Sequence, residues 1–168
     1  GKLRLLDILS DAENGPPLRV ADIGCGNGRF ALMLDSLGIS IGYTGVDGNL
    51  PLLERAAQQT ASLADVVCRF VQADLADANW LTSLPGASFD MVVCLATLQH
   101  MPSDELRARL VRDLASLLTP DSLLAISAWQ FLESERLRSR LLDGREIDID
   151  PTDVEAGDAL LPWNWATV

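Results

Sequence analysis

From Leu18 to Trp129 short apolar runs alternate with stretches whose apolar residues recur three and four positions apart. A short apolar run bounded by turn formers reads as a buried strand; the longer spacing reads as a helix with one buried face. Before this region, Leu3, Leu6 and Ile8-Leu9 predict a short helix over Lys2 to Ser10, ended by Asn14-Gly-Pro-Pro17. Leu18 to Ile23 is the first expected strand. A helix follows from Asn27 or the glycine beside it, carried by Phe30, Leu34 and Leu37 and stopped at Gly38. Gly42 to Asp47 is the second strand. Gly48-Asn49 opens a helix with Pro51 in its first turn, where proline is tolerated, and Leu53, Ala56 and Ala57 carry it to Thr60.

Val66 to Val71 is the third expected strand, closed by Gln72-Ala-Asp74. A short helix over Ala78 to Ser83 and a turn at Leu84-Pro-Gly86 lead to Phe89 to Leu95. That fourth strand is nearly all apolar, as a strand covered on both faces should be. Pro102-Ser103 starts the longest helix, with Asp104 and Glu105 near its positive end. Leu106, Leu110, Leu114 and Leu117 form its buried stripe, and Arg107, Arg109 and Arg112 fall away from it. Thr119-Pro-Asp121 turns into a fifth strand, Leu123 to Trp129. Beyond it the pattern weakens: Leu132 to Leu142 reads as a charged helix, Asp143 to Asp158 as acidic loop, and Leu160-Leu-Pro-Trp163 is apolar again. Strands alternating with helices predict an α/β fold, a doubly wound, mostly parallel sheet with helices on both faces. We read residues 1–168 as a single domain, with a ligand-binding core over 18–129 and a substrate-side or lid segment over 130–168.

Composition narrows the function. The 168 residues can bury a sizeable core, and no apolar run approaches the ~18 residues of a membrane span. The opening residues lack the basic start and apolar core of a secretion signal. Cys25, Cys68 and Cys94 form no C-x-x-C pair and His100 is the single histidine, so neither a disulfide framework nor a metal site is expected. A reducing, cytoplasmic setting follows. The net charge of −11 opposes a phosphate backbone, so a nucleic-acid partner needs a basic patch or a helper subunit. The same field favours a cationic ligand.

The candidate chemistry lies in Arg19-Val-Ala-Asp-Ile-Gly-Cys-Gly-Asn-Gly-Arg-Phe30, where Gly24, Gly26 and Gly28 join the first strand to the first helix of the core. A bare glycine turn lets a ligand approach the backbone, and the helix start turns unpaired N–H groups toward it. The dinucleotide fingerprint needs G-x-G-x-x-G, but Arg29 stands where its third glycine belongs. A nicotinamide-dependent oxidoreductase is disfavoured on that spacing. Asp47 still ends the second strand, where a carboxylate can accept both hydroxyls of a ribose.

Asp22-Ile-Gly-Cys-Gly-Asn-Gly28 resembles the first motif of the class I S-adenosylmethionine-dependent methyltransferases. Val46-Asp47, Gln72-Ala-Asp74-Leu75, Gly86-Ala-Ser-Phe-Asp90 and Leu117-Leu-Thr-Pro120 resemble its later motifs in the same order. The likeness runs from about Leu18 to Trp129; it departs at Pro120-Asp121-Ser122, where the family often has Pro-Gly-Gly. It implies a Rossmann-like fold, usually with two further strands that are not legible here. It also implies S-adenosyl-L-methionine as cofactor, held by Asp22, Gly24, Cys25, Gly26, Gly28, Asp47, Gly48, Asp74, Leu75 and Leu95. Within that set Asp22 would lie near the amino group, Asp47 on the ribose, Asp74 and the Leu75 N–H at the adenine, and the Leu95 carbonyl at the amino group.

The implied reaction is methyl transfer to an O or N acceptor by in-line displacement. His100, after the fourth strand, is the candidate base or else a locally packed loop residue. Trp129, Trp163 and Trp165 are candidate pocket walls. Leu98-Gln-His100, Ile126-Ser-Ala-Trp129-Gln and Leu160-Leu-Pro-Trp163 resemble the branch that methylates carboxymethyl groups on tRNA wobble uridines. That branch needs no base, because its nucleophile is an ionised carboxylate, and Arg29, Arg136, Arg138 or Arg140 could hold it. A small-molecule acceptor and a non-catalytic cofactor-binding or partner-binding module stay open as alternatives.

Overall fold

A computed structural model describes residues 15–84, 88–129, 133–155 and 157–162. The helix expected over Lys2 to Ser10, the Pro85-Gly86 turn, Trp163 and Trp165 lie outside them. Residues up to Ala128 and those from Trp129 onward form two compact units.

In the first unit β1 (Leu18–Ile23), β2 (Ile41–Asp47), β3 (Val66–Gln72), β4 (Phe89–Cys94) and β5 (Leu118–Ile126) form one sheet in the order β3-β2-β1-β4-β5. Every neighbouring pair is parallel, as the strand–helix alternation predicts. Successive strands step outward from β1 to β2 and β3. The chain then crosses back to β4 on the other side of β1. That reversal falls at the carboxyl end of β1, the place where ligands bind in open sheets of this kind.

Helices α1 (Arg29–Asp35), α2 (Leu50–Thr60) and α3 (Asp104–Ser116) cover the sheet. One core joins Val20, Tyr43 and Val93 of the strands to Ala31 and Leu34 of α1 and Leu53 of α2. The other joins Ala21, Ile23, Val92 and Cys94 to Leu110 and Leu114 of α3 and to Trp80. The two sets alternate along each strand because successive side chains point to opposite faces. Asn49 caps α2 by accepting the Leu52 amide, and Ser103 caps α3 by accepting that of Leu106. Among the described residues no helix is long and apolar enough to cross a membrane.

Several boundaries differ from expectation. Helix α1 ends at Asp35, three residues short of Gly38. Ser36 turns its hydroxyl back onto the Met33 carbonyl at 2.6 Å, and Gly38 takes φ 67. The short helix expected over Ala78 to Ser83 is a 3-10 turn, Trp80–Ser83. Strand β4 stops at Cys94, and β5 starts at Leu118 rather than Leu123. Thr119-Pro-Asp121 forms a bulge inside β5: Phe89 pairs with Leu118, but Met91 already pairs with Leu123. Pro120 has no N–H to give a ladder, and Asp121 takes φ 70. The Ser122 hydroxyl closes the bulge within 3.0 Å of the Phe89 carbonyl and 2.7 Å of the Thr119 carbonyl.

Among the described residues of the second unit the α-helix is Glu135–Arg138, α4, shorter than the helix expected over Leu132 to Leu142, whose first residue lies outside them. The Leu142 amide bonds instead to the Leu160 carbonyl at 2.9 Å, a long-range bond no helix could accommodate. The expected acidic loop holds two 3-10 turns, Gly144–Ile147 and Pro151–Asp153. Asp143 and Asp150 cap them by accepting the amides of Arg145 and Thr152. The Thr152 amide and hydroxyl on Asp150 hold that carboxyl below the usual range.

Candidate functional site

The glycine bend is stitched to the end of β2. The Gly24 and Cys25 amides both donate to the Val46 carbonyl, at 2.7 and 3.0 Å. The Gly26 amide donates to Oδ2 of Asp47 at 2.9 Å, and the Asn49 amide donates to Oδ1 at 2.8 Å. Asp47 thus uses one acceptor position on each oxygen. A carboxylate has about four, so two remain for a pair of vicinal hydroxyls.

The glycines have distinct duties. All three take positive φ: 79 at Gly24, 53 at Gly26 and 79 at Gly28. A Cβ on Gly24 would meet the Thr97 hydroxyl at 2.0 Å, and one on Gly28 would meet Ala56 of α2 at 3.0 Å. Gly28 therefore serves the packing of α1 against α2, with its amide on the Cys25 carbonyl at 3.0 Å. Gly26 is different: a Cβ there would meet nothing within 4 Å. Its bare face opens on free space, where a ligand can reach the backbone. The Cys25 side chain is buried among Gly45 and the sheet core, with its thiol donating to the Gly26 carbonyl at 3.8 Å. Burial, with Asp22 and Asp47 nearby, pushes its thiol far up.

Asp22 lies beneath the bend, 3% exposed, and accepts a hydrogen bond of 2.6 Å from the Tyr43 hydroxyl. Burial pushes its carboxyl up to about 6; the Tyr43 hydroxyl lowers it and Asp47 raises it further. A cation arriving above the bend would relieve that desolvated charge.

On the far side of β2, the Ala73 amide donates to the Asp47 carbonyl at 3.1 Å, which sets the next residue, Asp74, at the neighbouring strand end. Its carboxylate is exposed, with Oδ1 on the Ala76 amide at 2.9 Å. Gly48 is exposed beside Asp47, and its carbonyl takes the Gln72 side-chain amide at 3.2 Å. Leu75 is buried, and the Leu75 and Ala76 carbonyls both accept from Nη2 of Arg109, at 3.0 and 2.8 Å. Arg109 does not fall away from the α3 core as its spacing suggested; its guanidinium ties α3 to the loop after Asp74. Asp113 completes the tie by accepting from the Trp80 indole at 2.9 Å.

Leu95 follows β4 and is 39% exposed. The Thr97 hydroxyl is within 3.1 Å of its carbonyl and 3.4 Å of the Gly24 carbonyl, so it bridges this loop to the bend. Between them Ala96 takes φ 52, rare for a residue with a side chain, and its amide is held by Ser127 Oγ at 2.8 Å. His100 is exposed and ends the 3-10 turn Leu98–His100. Gln99 donates to the Ala96 carbonyl at 2.7 Å, while its Oε1 is buried without a partner. Arg29 is exposed at the start of α1; Arg136, Arg138, Arg140 and the half-exposed Trp129 belong to the second unit.

The sequence pattern does not reveal Tyr43, Thr97 or Arg109. Each acts through a contact across 21 to 73 positions, which only strand register brings out. A separate open groove of about 320 Å3 lies between α2 and β3, lined by Ala57, Leu63, Val67 and Phe70 among others. It contains none of these acids.

The donor set suits an adenosine carrying an amino acid: a diol acceptor on Asp47, bare backbone at Gly26 and a buried anion at Asp22. The methyltransferase domain family matches residues 20–121, more than half of the chain. The 27-O-demethylrifamycin SV methyltransferase of Amycolatopsis mediterranei is 37% identical over 69% of this chain and 40% of its own. The probable tRNA methyltransferase 9B of Mus musculus is 26% identical over 97% of this chain and 29% of its own. The chain thus spans less than half the length of either relative. The structure of SAM-bound CalS10, an amino pentose methyltransferase from Micromonospora echinaspora, aligns with a TM-score of 0.57 at 20% identity. It covers 83% of this chain and 52% of the other, and the likeness is one of fold. The chain belongs to the methyltransferase domain family, the class I S-adenosylmethionine-dependent methyltransferases.

Proposed function

We propose that this domain binds S-adenosylmethionine at the glycine bend and transfers its methyl group to a carboxylate on a tRNA wobble uridine. The observation that carries the binding half is Asp47, anchored by the Gly26 and Asn49 amides with acceptor capacity left on both oxygens. In this reading Asp47 holds the ribose and Gly24, Cys25, Gly26 and Gly28 supply the backbone against the methionyl part. Asp22 faces its ammonium through water and the Leu95 carbonyl accepts from it. Gly48 flanks the ribose, and Asp74 and the Leu75 N–H take the adenine edge.

The bound cofactor supplies a methyl group on a cationic sulfur, which leaves as a neutral thioether. The protein's task is then alignment, an effect that reaches ~7–11 kcal/mol in well-oriented reactions. A carboxylate acceptor is ionised at neutral pH, so His100 is a contact residue rather than a base. Support for the tRNA acceptor comes from the probable tRNA methyltransferase 9B, whose likeness extends over nearly the whole chain. The charge of −11 then requires a basic partner subunit to meet the RNA. The free thiols Cys25, Cys68 and Cys94 suit a reducing cytoplasm.

Thermal shifts with S-adenosylmethionine, S-adenosylhomocysteine, NAD and NADP test the cofactor. A ligand at about 100 times its dissociation constant adds ~2.7 kcal/mol, and a response to the nicotinamide cofactors alone would overturn the reading. Transfer of labelled methyl to bulk tRNA, with and without cell extract as a source of partner, tests the acceptor. Label on small molecules instead would favour the chemistry of the rifamycin relative. Tight cofactor binding with no acceptor labelled would favour a non-catalytic module.

A further inference from the structure

Asp22 and Tyr43 stand apart from the other site residues because both are buried. Tyr43 is 1% exposed, and its ring meets Phe70 edge-on with centroids 6.0 Å apart. In the β1–β2 register Tyr43 lies opposite Val20, and Asp22 lies opposite Gly45. Tyr43 and Gly45 share a face of β2, so the tyrosine reaches diagonally along the sheet to the acid. Gly45 leaves the room: a Cβ there would strike Cys25 Sγ at 2.8 Å and the Phe70 ring at 2.9 Å. The result is a carboxylate with one oxygen pinned by a hydroxyl under a bend whose upper face is open.

An ionised carboxylate in such a place is costly unless it is paired. Tyr43 from β2 donates to it, and Asp47 at the end of the same strand repels it. Cys25 from the bend and Cys94 from β4 both feel its charge, and Cys94 is pushed up to about 11, mainly by burial. Cys68 on β3 faces Tyr43 and is itself pushed up by burial. Among the described residues the charged group acting on Asp22 is thus another anion. Burial and Asp22 hold the Tyr43 phenol far above its ordinary value, so it remains a donor.

We propose that Tyr43 is a positioning residue for the cofactor: its hydroxyl orients Asp22 and favours its ionised form, and so sets how far the pH must drop before binding of a cationic ligand has to displace a proton. This rests on the proposed cofactor site and adds to it a residue and a proton. Below about pH 6 Asp22 holds a proton before binding. A cation settling on the bend favours the carboxylate, and the displaced proton leaves to water. The proton count balances with no further reactant.

Two measurements on the whole chain test it, with Tyr43→Phe as the variant, which keeps the ring against Phe70 and removes only the hydroxyl. The first is carbon NMR of the Asp22 carboxyl in ligand-free protein. Its titration midpoint should rise in the variant by about one pH unit, the scale of one lost hydrogen bond. The second is calorimetric affinity from pH 5 to 8.5 for S-adenosylmethionine and for methylthioadenosine, which lacks both cationic groups. Wild-type affinity for S-adenosylmethionine should fall as pH drops through the Asp22 midpoint. In Tyr43→Phe the fall should begin at higher pH, leaving binding about fivefold weaker at the wild-type midpoint and about tenfold weaker well below it, with the two proteins converging by pH 8.5. Methylthioadenosine should show no such fall.

Equal weakening at every pH would mean that Tyr43 only packs, and would overturn the proposal. So would an unmoved Asp22 midpoint. Tight but pH-independent binding of S-adenosylmethionine would refute the coupling while leaving the cofactor site standing. Failure of S-adenosylmethionine to bind at any pH, with the NMR shift present, would remove the cofactor reading and the proposal with it.

Discussion

Asp47 accepts the Gly26 amide at 2.9 Å across 21 positions of sequence. The bond makes one carboxylate a clamp on the bend, and in the proposed site the same group is the acceptor for the ligand. The first prediction separates the two uses. Asp47→Ala loses the bend's anchor and, in the proposed site, two charged hydrogen bonds to a ribose, each worth roughly 1.5–3 kcal/mol. The thermal shift with S-adenosylmethionine should vanish, and calorimetry should show affinity reduced more than about a hundredfold. An unchanged shift would remove Asp47 from the site.

Gly24→Ala and Gly26→Ala should part company. The first drives a methyl group into Thr97, with the hydroxyl 2.0 Å from the new carbon, at φ 79. Denaturant melts should show a loss of about 2 kcal/mol or more, the range of overpacking plus left-handed strain. Thr97→Gly in the same chain should recover part of it. Gly26→Ala meets no protein atom within 4 Å, so only the ~1–2 kcal/mol of left-handed strain applies. Its affinity for S-adenosylmethionine should fall far more than its stability.

Asp22→Asn should stabilise the ligand-free protein near pH 7.5 and weaken it as a binder. The folded Asp22 titrates at about 6, above its ordinary 3.8. The native state therefore binds the proton more tightly, so this group's favourable contribution is full below pH 3.8 and is lost as pH rises through about 6. At pH 7.5 the ionised group costs roughly 3 kcal/mol, the free energy of raising a carboxyl that far above its ordinary value. The melting difference between wild type and Asp22→Asn should shrink toward zero as pH drops below about 4. A constant difference across that range would show that Asp22 is not held as the structure has it.

Arg109→Met tests the tie behind Asp74. The two carbonyl contacts at 3.0 and 2.8 Å hold the loop that begins at Asp74. Losing them should cost about 1–3 kcal/mol in stability. It should also raise hydrogen exchange at Asp74 to Asp77 while β1 and β2 stay protected. Equal protection of that loop in both proteins would contradict the role.

The thiols should react in order of access. Cys25 and Cys94 are buried and Cys68 is half-buried. Alkylation at pH 8 should label Cys68 first; modification of Cys25 should require unfolding. Mass spectrometry of partly labelled protein would decide it.

By itself the sequence determined the strand–helix alternation from Leu18 onward, the caps at Asn49 and Ser103, and the glycine bend with Asp47 behind it. Those features are local: periodicity, a capping side chain, and bare residues where the backbone turns the left-handed way. The tertiary structure decided what register alone can bring together. It put Tyr43 on Asp22, Thr97 on Gly24 and Arg109 on the Leu75 and Ala76 carbonyls. It also gave Gly28 to helix packing and left Gly26 open. Local pattern fails there because these partners are set by which strands lie side by side and where their ends meet, and by how deeply a charge is buried between them. The β5 bulge and the short α4 follow the same logic, since a proline against a ladder and an amide drawn to Leu160 override an otherwise sound periodicity.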